Sequence, residues 1–136
     1  MRNSGTVKVG LPSRADGRRT ARVLGHHLIV DMWECLPESL TSVAGVESAL
    51  SDAVAACRAT LIELRVHAFQ PTGVTGIAII KESHISVHTW PELGYAAVDI
   101  FTCGEADAQS AVAVLNDYFG PRRSDVMEFK RGVLRS

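Results

Sequence analysis

No run of the chain is long and apolar enough for a membrane span or for the centre of a secretory signal, so neither a bilayer anchor nor export is expected. Cysteine is scarce. Cys35, Cys57 and Cys103 are an odd number without CxxC spacing, which argues against a disulfide framework and fits a reducing, cytoplasmic setting with one thiol free to work. An excess of one charge is missing too: a formal net charge of -1 supplies no overall basic field, so no nucleic-acid partner is expected. Internal repeats are absent after residue 22.

What is present suffices for one domain, because 136 residues with 46% apolar content bury a real core. Residues 1–21 hold Arg2, Lys8, Arg14, Arg18 and Arg19 against the single acid Asp16 and read as a flexible basic tail. The domain occupies 22–136. Residues 22–33 read as a strand that Leu36-Pro37 breaks, and 42–59 place Val46, Leu50, Ala53, Val54 and Cys57 at helical spacing. Residues 61–69 set Ile62, Leu64 and Val66 against Glu63, Arg65 and His67 in strand alternation. The turns QPTG (70–73) and PELG (91–94) separate further strands, VTGIAII, HISVHTW and YAAVDIFTC, so four consecutive strands form a meander. Residues 107–119 carry a helical stripe from Asp107 as N-cap to Gly120-Pro121, and Val126, Met127 and Phe129 make a short last strand.

These elements predict an α+β fold, a two-layer sandwich with both helices on one face of a mainly antiparallel sheet. Its other face carries apolar residues as well, which predicts a homodimer with sheets apposed in an α/β/β/α arrangement.

Residues 81–104 concentrate the reactive groups, with Glu82-Ser83, His88, Glu92 and Cys103 in one β-type segment. If PELG is a hairpin tip, opposing residues sum to about 185, which sets Ser83 against Thr102 and Glu82 beside Cys103. His88 lies five residues along the strand from Ser83, about 17 Å if extended. Phe69, Thr75 and Glu92 fall at the His88 end, so the polar groups split into two clusters that a two-fold axis between protomers would bring together.

Each of these residues has an ordinary reading. A serine at a bend is unremarkable alone, Cys103 alone would be a small buried hydrophobe, and Phe69 and Trp90 alone would be core or interface. His84 and His88 with Cys103 suggest a metal, but their spacing is helical and the segment is a strand, so no metal is expected. His26 and His27 read as structural or exposed.

The run HAFQPTGVTGIAIIKESHISVHTWPELGYAAVDIFTCG at 67–104, with GHHLIVDMWEC at 25–35, resembles the bacterial S-adenosylmethionine decarboxylases, pyruvoyl-dependent enzymes of spermidine synthesis. The resemblance implies a proenzyme that cuts itself between Glu82 and Ser83, leaving a β chain 1–82 and an α chain 83–136. Ser83 becomes a covalent pyruvoyl group that forms a Schiff base with the substrate. It further implies that His88 is the processing base, Thr75 supports processing, and Cys103 donates the proton that replaces carbon dioxide. A thiol suits that role, since unperturbed thiols titrate near about 8.5. By the same resemblance Phe69 stacks on adenine, Glu92 accepts the ribose hydroxyls and Trp90 walls the pocket. Three places depart from the family pattern: Thr75 stands for a usual Ser, Leu93 for a usual Tyr, and Gln70 and Thr72 alter the first turn. A relative that decarboxylates ornithine or arginine, or a non-catalytic regulatory homologue, are the alternatives.

Overall fold

Strand alternation sorts the side chains into two faces, and the burial of successive residues follows it closely along Tyr95–Cys103, where Ala96, Val98, Ile100 and Thr102 are buried and their neighbours are not. The computed structural model describes residues 6–8 and 22–135. Among the described residues, seven strands and two α-helices run in the order β1 (Thr6–Lys8), β2 (Arg22–Trp33), α1 (Val43–Ala56), β3 (Leu61–Ala68), β4 (Val74–Ile80), β5 (Ser83–Trp90), β6 (Tyr95–Cys103), α2 (Ala108–Phe119) and β7 (Arg123–Leu134). They form one sheet with strand order β1-β7-β2-β6-β5-β4-β3. Every pairing is antiparallel except that of β1 with β7.

Both helices lie on one face, α1 over β3 and β4 and α2 over β2 and β6, as expected for an α+β two-layer sandwich. Ser42 caps α1 by accepting from the Gly45 amide (2.9 Å), and Asp107 caps α2 by accepting from the Ser110 N–H (3.3 Å). The apolar stripe of α1 (Val46, Leu50, Ala53, Val54) and that of α2 (Ala111, Leu115, Phe119) close over Leu28, Val30, Met32, Ile85, Val87, Val98 and Ile100. The helix face is tight at Gly76, where a Cβ would come within 2.8 Å of Leu50 Cδ1.

The structure differs from the sequence reading at both margins of the sheet. The last strand is not short: β7 spans twelve residues beside β2, with the charged residues Glu128, Lys130 and Arg131 inside it. Thr6–Lys8, inside the stretch read as a tail, pair with Val126–Glu128, and the remainder of 1–21 lies outside the described residues. Ile62 is 64% exposed, because a register irregularity between Leu61 and Glu63 takes it out of the alternation. No helix among the described residues is long and apolar enough to cross a membrane.

Candidate active site

β4 and β5 are joined by the two residues Lys81 and Glu82, with Ile80 and Ser83 paired at the base of the turn. That tight reversal leaves Ser83 at φ 140°, a region that residues bearing a Cβ avoid at a cost of about 1–3 kcal/mol. The turn is held through its peptide groups. The Cys103 N–H donates to the Glu82 carbonyl oxygen (3.0 Å), and the Lys81 N–H donates to the Thr60 carbonyl oxygen (2.8 Å). The Thr60 N–H donates to Glu82 Oε1 (3.0 Å). Ser83 stands opposite Thr102, as the hairpin arithmetic requires.

Cys103 is the partly exposed thiol of the three. Cys35 and Cys57 are buried, and burial pushes the Cys35 thiol up to about 11 and raises Cys57 as well. Burial thus keeps both core thiols protonated near neutral pH.

At the other end of the meander, Thr75 and His88 are cross-strand partners, and Thr75 Oγ1 lies 3.0 Å from His88 Nδ1. Glu92 is exposed on the short 3-10 turn Pro91–Leu93 that links β5 to β6. Phe69 is 48% exposed and meets the His67 ring edge-on at 4.5 Å. Trp90, 40% exposed, tilts against Tyr95 at 5.3 Å, and Tyr95 stacks on Trp33 at 4.4 Å. The Tyr95 hydroxyl donates to Asp31 (2.5 Å); burial and that carboxylate push Tyr95 up to about 12. This end offers exposed aromatic faces beside a carboxylate and a histidine.

The two clusters are not joined within one chain, because β5 is a regular strand that keeps Ser83 and His88 about 17 Å apart. His84, His88 and Cys103 do not converge as a metal set either. His84 turns instead to Asp99, with Nε2 3.6 Å from Oδ1, and His27 Nε2 lies 3.0 Å from Asp99 Oδ2. The ligand atoms of His27, His84 and Asp99 lie within 4.8 Å of one another. His27 and Asp99 are already engaged with other partners: Arg131 can only donate to His27 Nδ1 (3.1 Å), which leaves the proton on Nε2 facing Asp99. Burial would raise the Asp99 carboxyl, but hydrogen bonds from Ser86 and His27 and the neighbouring histidines outweigh it and hold it below its ordinary value. Sequence reasoning missed this centre. Its one local signal is a carboxylate in the middle of the apolar strand YAAVDIF.

Residues 26–132 match the S-adenosylmethionine decarboxylase family. The chain belongs to that family. It is 52% identical over 112 residues to the S-adenosylmethionine decarboxylase proenzyme of Methanococcus aeolicus, covering 82% of this chain and 96% of the relative. The proenzyme of Thermomicrobium roseum is 52% identical over 113 residues, again 82% of this chain and 96% of the relative. The crystal structure of the adenosylmethionine decarboxylase from Aquifex aeolicus superposes with a TM-score of 0.79 at 34% identity, covering 85% of this chain and 97% of that one. Within this S-adenosylmethionine decarboxylase family member, the departure at Thr75 keeps its hydroxyl on His88, and Leu93 is 63% exposed on the short turn.

Proposed function

We propose that the chain cuts itself between Glu82 and Ser83 and then decarboxylates S-adenosylmethionine, yielding carbon dioxide and the aminopropyl donor for spermidine synthesis. The observation that carries this reading is the turn itself, with Ser83 strained at φ 140° next to a Glu82 carbonyl that accepts the Cys103 N–H at 3.0 Å. The serine fits the origin of a pyruvoyl group, because its hydroxyl neighbours a carbonyl already polarised by an amide donor. Attack by Ser83 Oγ on the Glu82 carbonyl carbon forms an ester as the C–N bond breaks, and the proton passes from oxygen to nitrogen. The Cys103 amide meets the negative charge that develops on the carbonyl oxygen.

Elimination follows, with His88 removing the Cα proton as the ester oxygen leaves with Glu82, and hydrolysis releases ammonia. Thr75 fixes the His88 ring through Nδ1 and leaves Nε2 free for that proton. Once formed at position 83, a pyruvoyl group would supply a ketone able to take up the substrate α-amine and to act as an electron sink as carbon dioxide departs. Cys103 then returns a proton to the substrate carbon. Phe69 offers an exposed ring to adenine, Glu92 accepts from the ribose hydroxyls, and Trp90 closes the side of the pocket.

Because His88 and Ser83 lie at opposite ends of β5, the working unit is a homodimer whose apposed sheets join the Ser83 cluster of one protomer to the His88 cluster of its mate. The open face supports this arrangement, since Ile77 and Ile79 lie exposed on it. Three free thiols support a cytoplasmic setting.

The test is carbon dioxide release from S-adenosylmethionine, ornithine and arginine side by side. Wild type is expected to act on S-adenosylmethionine, and Glu92→Ala to lose about tenfold to a hundredfold on it through the lost ribose contacts. Faster release from ornithine or arginine would refute the substrate assignment.

A further inference from the structure

The loop between α1 and β3 takes hold of the cleavage turn from outside the hairpin. Thr60 uses both of its peptide groups, accepting from the Lys81 N–H at 2.8 Å and donating to Glu82 Oε1 at 3.0 Å. The loop is itself firmly placed. The Arg58 N–H donates to the Ala55 carbonyl oxygen and the Ala59 N–H to that of Val54, both at 3.1 Å, and the Cys57 carbonyl oxygen accepts from the Asp107 N–H at 2.9 Å at the start of α2. Cys57 is fully buried. Thr60 is thus anchored to both helices, and the turn is anchored to Thr60.

We propose that the Glu82 side chain is a positioning residue for self-cleavage: held by the Thr60 amide, it fixes the plane of the peptide that Ser83 attacks. This rests on the self-cleavage reading above. A Glu82 residue tied only through its carbonyl could rotate about its backbone, letting Ser83 leave φ 140° and carrying the carbonyl away from the Cys103 N–H. With the carboxylate tied as well, the residue is held at two points, one on each side of its Cα. Charge-assisted bonds of this kind, from an amide to a carboxylate, are among the stronger ones available to a surface turn. Strain at a reacting bond persists only where its surroundings hold it.

The experiment follows fragment appearance, by intact mass, in freshly synthesised wild-type, Glu82→Gln and Glu82→Ala chains. Glu82→Ala is expected to slow cleavage about tenfold through loss of the acceptor, while Glu82→Gln, whose amide oxygen still accepts from Thr60, stays within about threefold of wild type. Wild-type speed in Glu82→Ala overturns the proposal, and so does a Glu82→Gln chain as slow as Glu82→Ala. Melting of the same substitutions in a Ser83→Ala background, where no cut occurs, separates positioning from folding. Loss of folded protein at the assay temperature in the Glu82→Ala form overturns the positioning role. A wild-type chain that never cuts overturns the cleavage reading itself, which distinguishes that failure from failure of the Thr60 grip alone.

Discussion

At the Ser83 end of β5, peptide groups do the organising: a strained φ, a gripped carbonyl and amides from Cys103 and Thr60. At the Trp90 end, side chains on a regular strand do it, through the Thr75–His88 contact, the exposed Phe69 and the Trp90–Tyr95–Trp33 stack. The difference shows how the labour divides. On the proposed reading, breaking a backbone bond calls for control of backbone geometry, whereas recognising a nucleoside and moving protons call for side chains, and one strand would carry both without bringing them together in a single chain.

The most severe way to break that comparison is to inactivate each end separately and mix. Cys103→Ala and His88→Ala chains alone are each expected to lose at least about a hundredfold in decarboxylation, the usual worth of a proton-transfer group. Coexpressed, random heterodimers would hold one intact site each, restoring about a quarter of wild-type activity by two-fold symmetry. Assay of the purified mixture checks this, and no recovery would mean that each chain works alone.

A smaller effect isolates the strain at the Ser83 end. Ser83→Ala and Ser83→Gly both remain uncut, but glycine accepts φ 140° freely. Ser83→Gly should therefore be more stable than Ser83→Ala by about 1 kcal/mol in denaturant titration. Equal stabilities would remove strain from the account.

The smallest effect concerns the carboxylate midway between the ends. Asp99 is held below its ordinary 3.8, so it adds stability above that pH and withdraws it as acid protonates the folded form. Melting temperature should fall more steeply for wild type than for Asp99→Asn as pH drops from about 5 to 3. Parallel profiles would deny Asp99 its hydrogen-bonded role.

The two ends were unequally legible in the sequence. Helix and strand periodicity placed β2 at Arg22–Trp33 and the buried stripe of α1, and turn spacing placed Ser83 opposite Thr102, because these depend on local pattern. The length of β7 was hidden by Glu128, Lys130 and Arg131, which break the apolar alternation where the strand needs only backbone pairing with β2. In the His27–Asp99–His84 centre, His84 and Asp99 share the β5–β6 hairpin, but His27 comes from β2, 72 residues before Asp99, so no spacing brings the third group to them. The φ of Ser83 and the bond from the Lys81 N–H to the Thr60 carbonyl belong to the backbone, on which residue identity says little.

The central claim is that the polypeptide makes its own reactive carbonyl. Intact mass spectrometry of the purified protein, before and after borohydride treatment, tests it most directly. The account predicts two chains divided after Glu82, the C-terminal one lacking a free amine at residue 83 and gaining mass on reduction. A single full-length chain that releases carbon dioxide from S-adenosylmethionine and ignores borohydride would contradict it.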